Sequence, residues 1–91
     1  MLSPTERKAL KGRAHKLDPI VIIGAKGLTD EVVKEIELAL KAHELIKVRA
    51  PALDRDQRDA VVERIVGITR AELVQQVGKV FVIYRKNDEA R

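Results

Sequence analysis

The sequence predicts an α/β fold, a two-layer α+β domain in which helices pack on a four-stranded mixed sheet. Three observations carry this. Two aliphatic runs, IVII (residues 20–23) and LIKVRA (45–50), flank a segment whose apolar residues recur at helical spacing. Helix-start chemistry appears three times, at Ser3, Thr29 and Asp54. Two β-rich runs then meet around Gly78-Lys79 in ELVQQVGKVFVIYR. The expected order is helix, strand, helix, strand, helix, strand, strand.

In the first element Ser3 caps, Pro4 suits the first helical position and Glu6 completes a capping box. Leu10 and Ala14 share one face, Gly12 weakens the helix, and the chain leaves helical geometry before Asp18-Pro19. IVII is short and continuously apolar, so it is expected to be a strand buried on both faces. Thr29 caps the next helix, Asp30 and Glu31 favour its first turn, and Val32, Val33, Ile36, Ala39 and Leu40 form its apolar side through His43. LIKVRA reads as a second strand, parallel to the first. After Pro51, Asp54 and Gln57 open a third helix with Val61, Val62, Ile65 and Val66 inward. A hairpin around Gly78-Lys79 closes the fold.

The chain has 91 residues, and one domain over 1–91 is expected. Hydrophobic residues make up 45% and aromatic residues only 2%, so the core must be built from Leu, Ile, Val and Ala. There are no cysteines, which excludes disulfides, thiolate metal sites and thiol nucleophiles. The start MLSPTERKALKGR is too charged for a signal peptide, and a cytoplasmic protein without membrane contact is expected. The net charge is +4 and unevenly spread. Residues 1–27 hold six bases against two acids, whereas 28–69 hold seven against nine. Such a basic start suits an anionic partner.

The junction GAKG, Gly24 to Gly27, lies where a strand hands over to a helix. Glycines let a backbone approach a ligand, the helix start adds partial positive charge, and Lys26 adds a full one. The loop is too short for a nucleotide P-loop and has the wrong first spacing for a dinucleotide fingerprint. G-x-x-G remains, the spacing with which KH modules clamp a nucleic-acid backbone. Two glycines also make an ordinary turn, and the motif alone is weak. The lysine, the strand–helix context and the basic preceding helix (Lys8, Lys11, Arg13, Lys16) strengthen it. Those helix cations could equally be a solvated face.

Other candidates carry less. His15 and His43 have no metal-ligand pattern and suit structural positions. Asp54, Asp56 and Asp59 alternate with Arg55 and Arg58 and read as a helix cap with a charged surface. Tyr84 is a lone aromatic at a strand end, which argues against a sheet that stacks several bases on aromatic rings. No Ser-His-Asp arrangement or paired carboxylates can be placed, so binding is expected rather than catalysis, with no cofactor and no small-molecule substrate.

The stretch LKGRAHKLDPIVIIGAKGLTDEVVKEIELALKAHELIKVRA, residues 10–50, resembles the YhbY-like or CRM domain family (chloroplast RNA splicing and ribosome maturation). VGKVFVIYR, residues 77–85, resembles its last hairpin. The combination AH-x-L-x-P-x-V-x-IG-x-x-GLT with HELIKV is far more specific than the loop alone. The resemblance implies a fold like the C-terminal domain of translation initiation factor three, with a KH-like G-x-x-G loop, and it implies RNA binding. Bacterial single-domain members are associated with precursors of the large ribosomal subunit, plant multi-domain members with intron splicing. The family's loop maps onto Gly24, Ala25, Lys26 and Gly27, and its basic first helix onto the region of Lys8, Lys11 and Arg13. Ala25 leaves the loop with one lysine and its backbone amides.

The expected function is therefore binding of ribosomal RNA in large-subunit precursors by a monomer. Gly24, Ala25, Lys26, Gly27, Lys8, Lys11, Arg13 and Lys16 are the candidate contacts, with Arg85 and Lys79 weaker ones at the sheet end. Shape rather than base reading would supply most selectivity. The rivals are a module docking on ribosomal proteins without RNA, and a small enzyme holding a phosphorylated substrate at the loop.

Overall fold

In the computed structural model, which describes residues 2–87, seven elements follow the expected order. They are α1 (Pro4–Ala14), β1 (Val21–Ile22), α2 (Asp30–His43), β2 (Leu45–Arg49), α3 (Arg55–Thr69), β3 (Glu72–Val77) and β4 (Val80–Tyr84). The sheet order is β1-β2-β4-β3, with β1 parallel to β2 and the remaining pairs antiparallel.

The caps form as the sequence implies. Ser3 and Glu6 close a capping box on α1, Thr29 accepts the Val32 amide at 3.2 Å, and Asp54 with Gln57 closes a second box on α3. The two-residue turn Gly78-Lys79 has positive φ at Gly78 alone (+57°), the pattern of a type II′ hairpin turn.

The larger core lies between the sheet and the α2–α3 layer. It is built from Val21, Ile23, Ile36, Leu40, Ile46 and Phe81 among others. A smaller core lies on the opposite face, where Leu10 and Ala14 of α1 meet Leu45, Val74 and Val82. The helices therefore occupy both faces of the sheet, and α1 adds a third, partial layer to the two that were expected, because Leu10 and Ala14 bury against Leu45, Val74 and Val82. Arg7 fastens this helix by donating to the carbonyls of Leu73 and Val74, at the irregularity in β3.

One expectation is corrected. IVII is not buried on both faces. Val21 and Ile23 are buried, but Ile22 is 59% and Ile20 48% exposed. The physical reason is coverage: β1 is an edge strand, and α1 packs on β2 and β3. The face of β1 that α1 would have to cover stays open.

Candidate nucleic-acid interface

Parallel pairing of β1 with β2 places Gly24–Gly27 just beyond the end of β2. Register aligns Ile22 with Arg49, and the Ile23 amide extends the pairing to the Arg49 carbonyl at 2.8 Å. The turn itself is closed by the Gly27 amide donating to the Gly24 carbonyl at 3.0 Å. Gly27 has φ +74°, a conformation that favours glycine, whereas Gly24 does not lie in that region. Among the described residues, the amides of Ala25 and Lys26 donate to no protein group. Both residues are exposed.

The helix behind the turn does not offer a purely positive end. Thr29 already accepts one first-turn amide, and the exposed Asp30 and Glu31 stand in that turn. Carboxylates there stabilise α2 through its dipole and oppose a phosphate. Lys26 alone does not outweigh them.

Further cations come from the sheet. The Ala50 amide donates to the Lys79 carbonyl at 2.8 Å, which ties the β3–β4 turn to the end of β2. Lys79 thus sits at the loop end of the sheet. Lys47 and Arg49 alternate with Ile46 and Val48 and point to the α1 side. Sequence reading overlooked these two; the alternation in IKVR was the signal for them. Among the described residues the side chains of Lys26, Lys47, Arg49 and Lys79 make no ion pair or hydrogen bond.

The first-helix cations do not form one cluster. Leu10 and Ala14 face the sheet, so Lys8 points away from it. Arg13 and Lys16 share a groove of about 480 Å³ with Lys47, His43 and Ile20. That groove lies at the start of β1, roughly 13 Å from Gly24 at the rise of an extended chain. His15 faces the neighbouring groove.

Arg85 lies at the opposite end of the sheet from the turn. β4 runs antiparallel to β2, so Val80 pairs with Arg49 and Tyr84 with Leu45. The Arg85 guanidinium donates to Glu37 Oε1 at 2.9 Å and to the Thr69 carbonyl at 3.0 Å. The acidic segment after Pro51 is also accounted for: Asp54 caps α3, and Asp59 accepts from Gln76 Nε2 at 3.0 Å. No group of three His, Asp or Glu residues that could hold a metal ion occurs among the described residues, and no helix there is long and apolar enough to cross a membrane.

Comparison with known proteins agrees with this architecture. An RNA-binding protein of Haemophilus influenzae is 44% identical over 90 residues, covering 99% of this chain and 91% of that one. "Probable RNA-binding protein YqeI" of Bacillus subtilis is 36% identical over 89 residues, covering 98% and 93%. The solution structure of the Staphylococcus aureus protein SAV1595 superimposes with a TM-score of 0.84 at 36% identity, covering 100% of this chain and 95% of that one. These relatives are named as binding proteins and not as enzymes. With the CRS1 / YhbY (CRM) domain pattern matching residues 2–85, the chain belongs to the CRM domain family.

Proposed function

We propose that the protein binds structured RNA, specifically ribosomal RNA in precursors of the large subunit, through the Gly24–Gly27 turn and the α1 side of the sheet. The observation that supports this reading is the segregation of charge between the two faces. Residues 2–18 carry five bases and two acids, and Lys47 and Arg49 point to the same side. The opposite layer begins with α2, which carries four acids and two bases. A polyanion is drawn to the first face and repelled from the second. The names of the relatives support RNA as that polyanion. The ribosomal target rests on the resemblance to the family's single-domain bacterial members.

In this reading the amides of Ala25 and Lys26 face a phosphate, and Lys26 adds charge at the tip. Asp30 and Glu31 oppose that contact, so the turn holds RNA only together with Arg49, Lys79 and the α1-side cations. If about four phosphates are engaged, the log–log salt slope is close to −3.

The test is binding of ribosomal RNA fragments by wild type and by Ala25→Asp/Lys26→Asp across a salt series, with circular dichroism as a check on folding. A folded variant that loses most of its affinity supports the turn as a phosphate contact. A folded variant that binds like wild type removes the turn from the interface. A wild type that binds RNA only at very low salt, with no preference among fragments, overturns the reading.

A further inference from the structure

The register places Ile22, Arg49, Val80 and Val77 in one row across all four strands, on the α1 side and next to the Gly24–Gly27 turn. The α1 helix stops short of this row. Ile22 is 59% and Val77 62% exposed, and Val80 is half-buried. Beside it, Ile20 pairs with Lys47. A groove of about 550 Å³ continues from the row toward residues 15–19, lined by His15, Leu17, Lys47, Gln75, Val77 and Val80; Asp18 is the one acid on its wall. Exposed aliphatic side chains in a row are costly to leave in water and mark a contact surface.

The occupant follows from the charges around the row. Arg49 stands inside it, Lys47 in the next row, and Lys79 and Lys26 in the turns beyond the strand ends on its other side, all without an ion-pair partner among the described residues. Aliphatic side chains around one guanidinium, with lysines alongside, match a ligand that has flat faces and an anionic side. Unpaired nucleotides have that form: bases lie on aliphatic groups and on the planar guanidinium, and phosphates reach the lysines. Duplex RNA hides its base faces and cannot use the strip.

Resting on the RNA reading above, we propose that the row Ile22–Arg49–Val80–Val77 is a platform for unpaired bases of the RNA whose phosphates meet the turn. The protein thereby selects unpaired segments within that structured RNA, with aliphatic side chains and one arginine doing the work that aromatic residues do elsewhere. This adds base contacts to the expectation that shape supplies most of the selectivity.

The test uses a short unstructured RNA and the same strand annealed to its complement. The variants are Ile22→Thr/Val77→Thr, which keeps β-branched residues in the strands, and Arg49→Lys, which keeps the charge and removes the plane. Circular dichroism checks folding. The expected result is a wild-type preference for the unpaired strand. Ile22→Thr/Val77→Thr then loses about tenfold on that strand, the size of losing one stacked base, and less than about twofold on the duplex, with an unchanged salt slope. Arg49→Lys also loses affinity for the unpaired strand at constant slope. Equal wild-type binding to both RNAs, or wild-type behaviour of both variants, overturns the platform and leaves the RNA reading standing. Wild type that binds neither RNA overturns the platform if it still binds ribosomal RNA fragments, and overturns the RNA reading itself if it binds none of the three. Variants that keep RNA affinity but lose retention on ribosomal proteins assign the row to a protein partner and overturn the platform.

Discussion

Arg85 and Glu37 are joined at 2.9 Å across the junction between the end of β4 and α2. The same guanidinium nitrogen reaches the carbonyl of Thr69, the last residue of α3, and the Arg85 amide donates to the Glu44 carbonyl at 2.9 Å. One residue therefore connects the last strand to the ends of two helices. The two side chains are 20% and 32% exposed, so solvent weakens the pair without abolishing it.

Arg85→Ala is expected to cost about 1–2 kcal/mol of stability, a charged hydrogen bond discounted for exposure. RNA affinity of the folded variant should stay within about twofold of wild type, because the residue lies at the far end from the turn. Urea denaturation and a binding titration check this. Unchanged stability with lost affinity would instead make Arg85 an RNA contact.

The two glycines of the turn should behave differently. Gly27 has φ +74°, so Gly27→Ala strains the backbone and should cost about 1 kcal/mol. Gly24 has no such φ, and a Cβ built on it meets nothing within 4 Å. Gly24→Ala should therefore leave the melting temperature unchanged. If RNA phosphates approach the backbone there, the added methyl meets the ligand and affinity falls. Wild-type affinity in Gly24→Ala would show that the approach is not close.

The helices and the order of elements along the chain were legible because caps and periodicity act locally: Ser3, Thr29 and Asp54 each need only residues within one turn. The candidate interface was only partly legible. GAKG announces itself as a motif, but its acidic neighbours Asp30 and Glu31 favour the helix start and oppose an anionic ligand at once, and the motif carries no sign of the second effect. Arg49 and Ile22 become neighbours only through the register of β1 on β2, which no local pattern states. Ile22 was expected to be buried because a run of four apolar residues carries no sign of which face the fold leaves bare. The position of α1 decides that, and it depends on Leu10 and Ala14 finding Leu45, Val74 and Val82 far away in the chain.

Acid should loosen the start of α1. The Glu6 carboxyl is held below its ordinary value of 4.5, first by the backbone amide of Ser3 and then by the Ser3 side chain. A carboxylate with a lowered folded value stabilises the cap above about pH 4.5, and that contribution is lost as pH falls through the folded value. An NMR titration should place the Glu6 midpoint below 4.5, with the Ser3 amide shifting in step. Ser3→Ala should raise the midpoint toward 4.5. A wild-type midpoint at or above 4.5 would contradict the capping box in solution.

Charge removal should distinguish the two faces. Lys47→Gln and Arg49→Gln take cations from the α1 side, whereas Lys34→Gln and Lys41→Gln take them from α2. All four carry the same change in net charge, so a general long-range attraction would respond equally to each. If the α1 side meets the RNA, each of the first pair should reduce the magnitude of the salt slope by about 0.7–0.9, the release of one counterion equivalent. The second pair should leave the slope unchanged. Lys34, Lys41 and Arg49 are exposed and Lys47 is half-buried, so stability should hold within about 0.5 kcal/mol. Equal slopes for all four variants would mean that the face carrying α1 has no special role. A loss confined to Lys34 and Lys41 would place the RNA on the acidic side, which the charge distribution opposes.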